Sequence, residues 1–366
     1  MKVLCERDRL REALQVVSSV IPVKSTRPAI ENVYLAATND ALELVGTDLE
    51  VAVRYRIEDV KVEDPGTALI PARVATDFVR DLGGETLTLE TRGESFHIEN
   101  GADSCELTTM DPDEFPVVAR FPESDGLRLL GETFTRLVQR TGFAAAREQG
   151  RYAMHGILMQ VKDDSLEMVA TDGRRLAVAS SPIEENGSAG SRAIVPTKGM
   201  QLFCRVIDEP MERISLHFGE NQLGMKTDKA EIFARLIGGE FPRYSAVIPA
   251  ETENRVEADA DLLGQKLRLV SNVTSQDMRA VKLKIDKGKM TIHGRSAAAG
   301  QATAHMEVDF KGVPSEISFN PDYIIDGLKN CELESVRLEF NERTSPGKFT
   351  LGENYIYIVM PITIDT

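Results

Sequence analysis

The chain has 366 residues and a formal net charge of −15, with 42% hydrophobic and 28% charged residues. This length predicts two or three globular domains, and the charge argues against a surface that is basic throughout. No apolar run approaches the roughly 18 residues of a membrane span, and the N-terminal sequence MKVLCERDRLREAL is too charged for a signal peptide, so we expect a cytoplasmic protein.

The first third of the chain predicts helix, strands, helix, strands. Apolar residues at helical spacing predict an amphipathic helix over 9–21. A second helix is predicted from Pro71 to about Leu82, because proline favours the first helical turn. The predicted strands are NVYLAAT, ALELVGT and EVAVRYRI, then LTLET, SFHIEN and SCELTTM.

The same order of elements returns in the second and last thirds. Helices are predicted over 132–146 and after Pro196, then over 261–273 and from Pro321 to Asn330. The predicted strands are GILMQVK, SLEMVAT, RLAVASS, RISLHF, QLGMKT and EIFARLI, then VKLKI, KMTIHG, TAHMEVDF, VRLEF, KFTLG and YIYIVMPI. Two helices with several alternating strands in each third predict an α+β fold with antiparallel sheets.

Turn residues recur at nearly constant spacing. Thr47-Asp48 and Thr171-Asp172 end equivalent strands 124 residues apart, and Asn320-Pro321 opens a helix 124 residues after Pro196. Large tandem repeats favour a ring, an arc or a scaffold over an enzyme with one active site. We therefore predict three similar domains, at 1–120, 121–246 and 247–366.

The second predicted helix of each third carries positive charge on one face. Residues seven apart share a helical face. The cations at these two positions are Arg73 and Arg80 in the first third and Lys198 and Arg205 in the second, whereas the last third has only Lys329. In the third copy Asp322 stands where the first cation would be. Any one of these residues is most simply a solvated helix residue, but the repetition favours a shared role.

Further cations lie on or just after the first predicted helices. They are Arg9, Arg11, Arg136, Arg140, Lys266 and Arg268 on the helices, and Lys24, Arg27, Arg147 and Arg151 after them. A basic helix face on an acidic protein would bind a phosphate backbone locally, without sequence preference and with strong salt dependence.

Short motifs along the whole chain resemble one family, the bacterial DNA polymerase sliding clamps, which are beta subunits of the replicative polymerase. The motifs are ENVYLAA, GTDLEVAV, PAR and DEFP, then RYAMHGI, ATDGRRLAVAS, VPTKGM and GGEFPRY, then FNPDYIIDGL and YIVMPI. The resemblance implies the clamp fold, in which three similar domains each pack two helices on antiparallel sheets. It also implies a ring formed by a head-to-tail homodimer.

The resemblance implies a non-catalytic processivity factor of DNA polymerase III that uses no cofactor. The ring would encircle double-stranded DNA and slide without sequence specificity, and topology would retain it despite its acidic charge. A separate loader would hydrolyse the ATP needed for loading. The implied partners are the replicative polymerase alpha subunit and its 3′–5′ exonuclease complex, the clamp-loader complex, ligase, repair polymerases and mismatch-repair proteins.

The resemblance also assigns residues to two sites. The DNA-facing residues that it carries over are Lys24, Arg73, Tyr152, Lys198 and Arg279, to which the charge pattern adds Arg80 and Arg205. A hydrophobic pocket between the second and third domains would take a short linear peptide from each partner. The implied pocket residues are Met154, Thr171, Gly173, Arg175, Leu176, Pro242, Val247, Asn320, Tyr323, Val359, Met360, Pro361 and Ile362. For Leu176 and Val247 the plainer interpretation is core packing.

The implied ring interface joins an edge strand near Leu107 to the helix near Val273 of the second subunit. Joining unlike ends twice closes a ring and covers exposed strand edges. Two places depart from the family pattern. Tyr152-Ala153 stands where a paired aromatic is expected, and the chain ends on the longer, more acidic ITIDT.

Two other classes of function compete with this one. A metal-dependent phosphodiesterase would need carboxylates, and the candidates are Asp48, Asp172, Asp111, Asp113 and Glu114. These residues are typical turn formers, and the five histidines show no ligand spacing, so we predict neither catalytic nor metal-binding residues. The other alternative is a repeat scaffold, or a clamp paralogue, that binds proteins but not DNA.

Overall fold

A sixfold repetition of one short motif underlies the fold. The computed structural model describes residues 1–123, 126–148, 150, 153–183, 185–186, 189–275 and 279–363. Within these residues the order strand, helix and three further strands occurs six times, twice in each third of the chain. The predicted alternation of helices and strands is thus built on a unit half as long as the sequence repeat.

In the first third, helix α1 uses the predicted apolar spacing and buries Leu10, Leu14 and Val17. Helix α2 starts directly after Pro71 and buries Val79. The elements are β1 (Lys2–Glu6), α1 (Arg7–Ser18), β2 (Asn32–Thr38), β3 (Ala41–Thr47), β4 (Val51–Glu58), β5 (Lys61–Asp64), β6 (Gly66–Pro71), α2 (Ala72–Asp81), β7 (Thr86–Arg92), β8 (Ser95–Asn100) and β9 (Asp103–Thr108).

In the second third, helix α3 ends at Gly142, so the predicted end at residue 146 is wrong. Phe143 leaves the helix, and its ring packs 5.4 Å from that of Tyr357. The elements are β10 (Leu127–Leu130), α3 (Gly131–Gly142), β11 (Gly156–Lys162), β12 (Ser165–Thr171), β13 (Arg175–Pro182), β14 (Glu185–Asn186), β15 (Arg192–Pro196), α4 (Thr197–Val206), β16 (Arg213–Phe218), β17 (Gln222–Lys226) and β18 (Ala230–Arg235).

In the last third, side chains cap both helices, because Asp259 accepts from the amide of Leu262 and Asn320 from that of Asp322. The elements are β19 (Asn254–Asp259), α5 (Ala260–Ser271), β20 (Val281–Asp286), β21 (Lys289–Ser296), β22 (Gly300–Glu307), β23 (Asp309–Lys311), β24 (Ser315–Phe319), α6 (Pro321–Leu328), β25 (Ser335–Phe340), β26 (Gly347–Gly352) and β27 (Tyr355–Val359).

The sequence analysis missed the strand that precedes each helix, namely β1, β6, β10, β15, β19 and β24. Each has six residues or fewer and is separated from its helix by at most one residue, so the helix that follows obscures it. Its partners are also distant in sequence. Strand β1 pairs with β7, and β6 pairs with β2, so the two halves of each third exchange their first strands.

The described chain forms two compact units, and each contains one nine-stranded sheet and one smaller sheet. The first unit is Met1–Glu132, Glu184–Ser188 and Lys198–Leu236, with sheets β5-β1-β7-β8-β9 and β14-β10-β16-β17-β18-β4-β3-β2-β6. The second is Thr133–Ile183, Ala189–Thr197 and Ile237–Thr366, with sheets β15-β11-β12-β13-β27-β26-β25-β19-β23 and β22-β21-β20-β24. This division follows the sheets, so the three predicted domains remain a prediction.

Each nine-stranded sheet joins strands from two successive thirds of the chain. In the first unit β18 pairs antiparallel with β4, with Ala230 opposite Tyr55. In the second unit β13 pairs antiparallel with β27, with Arg175 opposite Val359. Since the pairs are antiparallel and helices pack beside them, the predicted α+β class is confirmed.

Buried charges fix the segment that follows β9 to the sheet of the first unit. The Glu43 side chain is 9% exposed and accepts hydrogen bonds from Arg54 (3.1 Å) and Arg120 (3.0 Å). Arg54 also donates to the carbonyl of Val118 at 3.1 Å. Burial alone would raise the pKa of Glu43, but Arg120 and Arg54 outweigh it and hold that pKa below its ordinary value.

The second unit uses the equivalent glutamate in the same way. Glu167 lies 124 residues after Glu43 and accepts hydrogen bonds from the Tyr244 hydroxyl (2.6 Å) and from Lys162 (2.7 Å). Tyr244 belongs to the segment that follows β18. Both copies therefore use a strand carboxylate, buried in the first and half-buried in the second, to hold the following connection.

One turn is built twice, once in each unit. The hydroxyl of Thr47 donates to the Val51 carbonyl at 2.8 Å, and the hydroxyl of Thr171 donates to the Arg175 carbonyl at 2.6 Å. The third residue of the turn is left-handed in both copies, with φ of 85° at Gly173 and 75° at Leu49. Only glycine adopts this conformation without steric cost, so the first copy of the turn is strained.

We expect Leu49→Gly to raise the free energy of unfolding by about 0.5–1 kcal/mol and Gly173→Ala to lower it by about 1 kcal/mol. A β-carbon at Gly173 would meet no atom of the described residues within 4 Å, so the backbone conformation alone should produce the loss. Urea denaturation measures both changes. Leu49→Ala is the control, since it keeps the β-carbon and should show no gain. A loss of stability in Leu49→Gly would contradict the assignment of strain.

We expect Glu43→Gln to destabilise the first unit by about 3 kcal/mol, because it removes the nearer charge partner of the buried Arg54 and leaves that guanidinium with Glu231 at 3.8 Å. A carboxyl with a lowered folded-state pKa stabilises the fold above its unfolded-state pKa and loses this effect as pH falls. The wild type should therefore lose stability below roughly pH 4, and the variant should lose less over that range. Denaturation at several pH values checks this. Glu58→Gln, at an exposed position, should match the wild type.

Candidate peptide pocket and DNA-facing residues

Arg175 connects the second copy of the turn to helix α6. Its guanidinium donates to Asp172 (3.0 Å), to Asp326 (2.9 Å) and to the carbonyl of Phe143 (2.8 Å). It also lies 4.7 Å from the centroid of the Tyr323 ring. The side chain is only 10% exposed, so this predicted pocket residue positions its neighbours rather than offering a free donor.

Asp326 is held ionised beneath this arrangement. Burial alone would raise the pKa of its carboxyl, but hydrogen bonds from Lys329 (2.8 Å) and Arg175 hold that pKa below its ordinary value. The ionised Asp326 secures Arg175, and Arg175 contacts the face of the Tyr323 ring. Tyr323 also accepts, through its backbone carbonyl, a hydrogen bond of 2.8 Å from the Tyr357 hydroxyl.

A buried apolar cluster forms the floor of the candidate pocket. Leu176 is buried and lies opposite Ile358 across the ladder between β13 and β27. The cluster consists of Ala153, Leu158, Val169, Leu176, Val178, Ile194, Phe241 and Ile358, with Ile237, Tyr244, Ile248 and Ile356 packed against it. Core packing therefore describes Leu176 and also Ala153, the residue that departs from the family pattern.

Exposed apolar side chains lie near this floor in the sequence segments that build it. Val247 is 41% exposed and Met360 is 36% exposed, which core packing does not explain for either residue. The chain after β27 is fixed by its backbone, since the amide of Met360 donates to the Arg174 carbonyl (2.9 Å) and that of Ile362 to the Ser318 carbonyl (2.8 Å). Exposed apolar groups beside a buried cluster are typical of a docking surface.

Other predicted pocket residues shape the backbone or only partly reach solvent. Thr171 is buried within its turn, Val359 is fully buried, and Asn320 caps α6 by accepting from the Asp322 amide at 2.9 Å. The half-buried residues are Met154, Pro242, Tyr323, Pro361 and Ile362, and Gly173 is exposed. Tyr244 and Ile248 were not among the predicted pocket residues, although the Phe-Pro shared by the motifs DEFP and GGEFPRY marks this connection.

In the first unit, five predicted DNA-facing cations divide into free and paired residues. Lys24 and Arg205 are exposed and have no ion-pair partner among the described residues. Arg80 pairs with Asp77 (2.7 Å) and Asp81 (2.9 Å). The other two also face carboxylates: Arg73 lies 3.9 Å from Asp77, and Lys198 pairs with Asp48.

The second unit holds the remaining predicted contacts. Arg279 pairs with Asp322, which occupies the position of the missing helix cation. Tyr152 lies outside the described residues. Arg140, which the sequence analysis counted among the cations on the first helices, is buried, pairs with Glu332 and lies 5.2 Å from the Tyr355 ring centroid. Arg140 lies on the buried face of α3. Its position on a predicted helix did not show which face of the helix would be buried.

The two residues predicted at a ring interface differ in exposure. Leu107 is buried and lies on β9, the last strand of its five-stranded sheet. Val273 is half-buried and follows α5. A contact at β9 would therefore use its backbone edge rather than the Leu107 side chain.

Neither a metal site nor a membrane span is found in the part of the chain that the structure describes. No three side chains of histidine, cysteine, aspartate or glutamate gather there in an arrangement that would hold a metal ion. None of the described helices is both long and apolar enough to cross a membrane.

Comparison with known proteins covers nearly the whole chain. Models of the N-terminal, central and C-terminal domains of the DNA polymerase III beta subunit match residues 1–119, 128–243 and 245–362. The beta sliding clamp of Pseudomonas putida is 29% identical over 364 residues, which cover 98% of this chain and 99% of the relative. That of Escherichia coli K12 is 29% identical over 367 residues, and both chains are covered completely.

The fold is similar to that of a solved clamp. The crystal structure of the DNA polymerase III subunit beta from Pseudomonas aeruginosa superimposes with a TM-score of 0.95 at 27% identity, and both chains are covered completely. These matches confirm the family indicated by the motifs, and they favour it over the scaffold alternative. Sliding clamps are non-catalytic, which agrees with the prediction that the chain is not an enzyme. The chain belongs to the DNA polymerase III beta subunit family, the bacterial sliding clamps, and is a DNA polymerase processivity factor.

Proposed function

We propose that this processivity factor works as a head-to-tail homodimeric ring that encircles duplex DNA and slides without sequence specificity. The observation that carries the proposal is the match to all three beta-subunit domains, in order, over almost the entire chain. Strands β9 and β22 each end a sheet in the described residues. Pairing of these unlike edges between two subunits, once at each junction, would close a ring.

A second part of the proposal concerns the partners. We place the docking of a short apolar peptide at the exposed Val247 and Met360, over the floor that contains Leu176. Pockets of this kind bind an extended or helical segment through a few apolar anchors. The proposed sources of the peptide are the polymerase alpha subunit, the clamp loader, ligase, repair polymerases and mismatch-repair proteins.

The remaining expectations complete the proposal. We assign the domains to 1–120, 121–246 and 247–366, and we expect the protein to work in the cytoplasm, where replication takes place in bacteria. The DNA-facing set comprises Lys24, Arg73, Arg80, Tyr152, Lys198, Arg205 and Arg279. Exposed cations that meet a phosphate backbone give salt-dependent contact without reading bases.

The peptide proposal predicts that Val247→Ser with Met360→Ala weakens binding of a peptide by 10-fold or more. Each substitution removes an apolar side chain whose burial beneath the peptide contributes roughly 1–2 kcal/mol to binding. A loss of about 1.4 kcal/mol corresponds to a tenfold increase in Kd. The probe is a fluorescently labelled peptide with the clamp-binding segment of the polymerase alpha subunit, followed by anisotropy. Val313→Ser, which alters another exposed valine of the second unit, is the control. Equal affinity in the double variant and the control would move the pocket elsewhere.

The DNA proposal predicts that Lys24→Ala with Arg205→Ala weakens binding to a short linear duplex. The slope of log K against log salt should fall in magnitude by about 0.9 for each phosphate that the variant no longer neutralises. Titration of labelled duplex at several salt concentrations measures both effects. The control, Lys287→Ala with Arg295→Ala, removes the same charge from exposed positions of the second unit. An equal loss of affinity in both double variants would mean that net charge alone controls binding.

A further inference from the structure

Carboxylates stand beside the cations on helix α2. Asp77 lies between Arg73 and Arg80 on one helical face, 3.9 Å from the first and 2.7 Å from the second. Its carboxylate makes no other hydrogen bond or ion pair among the described residues. Asp81 adds a second partner to Arg80 at 2.9 Å, and the hydrogen bonds that Arg80 donates to both carboxylates raise the pKa of its guanidinium.

The internal repeat shows which of these pairings recur. Helix α6 repeats the pair with the same spacing, because Asp326 and Lys329 correspond to Asp77 and Arg80 and lie 2.8 Å apart. Helix α4 does not, since Leu202 takes the place of the aspartate and Arg205 is left exposed. Within the described ranges, the same helix position is therefore paired in two copies and unpaired in one.

In the third copy, the paired cation comes from a segment outside the helix. Asp322 replaces the first helix cation, and Arg279 comes from the segment before β20 to pair with it. Both side chains are partly exposed, at 41% each. Apart from this pair, the Asp322 side chain makes no hydrogen bond or ion pair among the described residues, although its charge also suits the first turn of α6, at the positive end of the helix dipole.

Not every carboxylate near a cation is free to act as a counterion. Asp48 pairs with Lys198 but also accepts from the amides of Glu50 (2.9 Å) and Val51 (2.7 Å), which fixes its turn. Asp326 secures the buried Arg175. Among the described residues, the carboxylates of Asp77 and Asp322 hold neither a turn nor a buried guanidinium, so each is available as a counterion to its neighbouring cation.

A paired cation contributes less to DNA binding than a free one. A phosphate must displace or share the carboxylate, and a cation that already has an internal counterion releases less from the DNA's ion atmosphere. Exposed ion pairs are weak, so the competition reduces affinity without abolishing contact. A ring held by its topology needs contacts of this kind, because tight contacts with phosphates would oppose sliding.

We propose that Asp77 and Asp322 limit the affinity of the clamp for DNA, acting as internal counterions that compete with backbone phosphates for Arg73 and Arg80 and for Arg279. This inference rests on the proposed DNA-facing role of those cations. It assigns to two acidic residues a function that favours sliding over static binding.

The test measures binding of full-length protein to a labelled linear duplex at several salt concentrations. Asp77→Asn and Asp322→Asn should each lower Kd by roughly two- to fivefold and should steepen the salt dependence by up to about 0.9 in log–log slope. Asp286→Asn, an exposed position with the same change in charge, is the control and should change Kd by less than either. A gain in the control equal to the gain in the two variants would overturn the proposal.

A double-mutant cycle separates counterion competition from general repulsion. In a protein with Arg73→Gln and Arg80→Gln, the gain from Asp77→Asn should vanish, since no cation is left to release. A gain that persists there would overturn the proposal while leaving the DNA-facing cations in place. Arg205→Ala alone tests the underlying assignment. If it binds DNA as the wild type does, the helix cations are not DNA contacts, and the proposal fails with them.

Discussion

Backbone pairing between strands of successive repeats is the constraint on which the rest of the structure depends. The ladder between β13 and β27 sets Arg175 opposite Val359 and Leu176 opposite Ile358. That register brings the turn at residues 171–175 beside the segment that follows β27, where the Met360 amide bonds to the Arg174 carbonyl. A slip of one residue would turn Leu176 to the opposite face and remove the floor of the candidate pocket.

The same arrangement explains why one turn serves different purposes in its two copies. In the first unit the ladder between β4 and β18 carries Val51 at the position equivalent to Arg175, and Asp48 is free to pair with Lys198. In the second unit the corresponding aspartate, Asp172, accepts a hydrogen bond from Arg175, which also donates to Asp326 on α6. The repeat therefore supplies a common backbone, and single substitutions on it specialise one copy for a candidate DNA contact and the other for a candidate pocket.

Charge in this chain is arranged locally rather than in bulk. A net charge of −15 would repel DNA from most of the surface, yet Lys24 and Arg205 remain exposed and unpaired in the described residues. Other candidate contacts are partly neutralised by neighbouring carboxylates. A protein that stays on DNA through its affinity alone would be retained less well because of such pairing, whereas the retention of a protein that encloses DNA would not be reduced. The charge arrangement thus agrees with a processivity factor that moves along its template.

Local sequence predicted those parts of the fold that local patterns determine. The strands NVYLAAT and GILMQVK coincide with β2 and β11, because turn residues bound both runs. The short strands before the helices were missed, since their partners lie far along the chain. At the candidate pocket, Arg175 was named without its function as a connector, because Phe143 and Asp326 approach it only in the folded chain. Burial likewise separated Leu176 from Val247, which sequence alone treated alike.

The measurement that tests the central claim most directly is retention on circular and linearised DNA after loading by the cognate clamp loader with ATP. A ring that encloses the duplex should stay on the closed circle and should be lost after linearisation, because it slides off the ends. Equal retention on both forms would mean that the protein binds the DNA surface, which would contradict enclosure by a sliding ring.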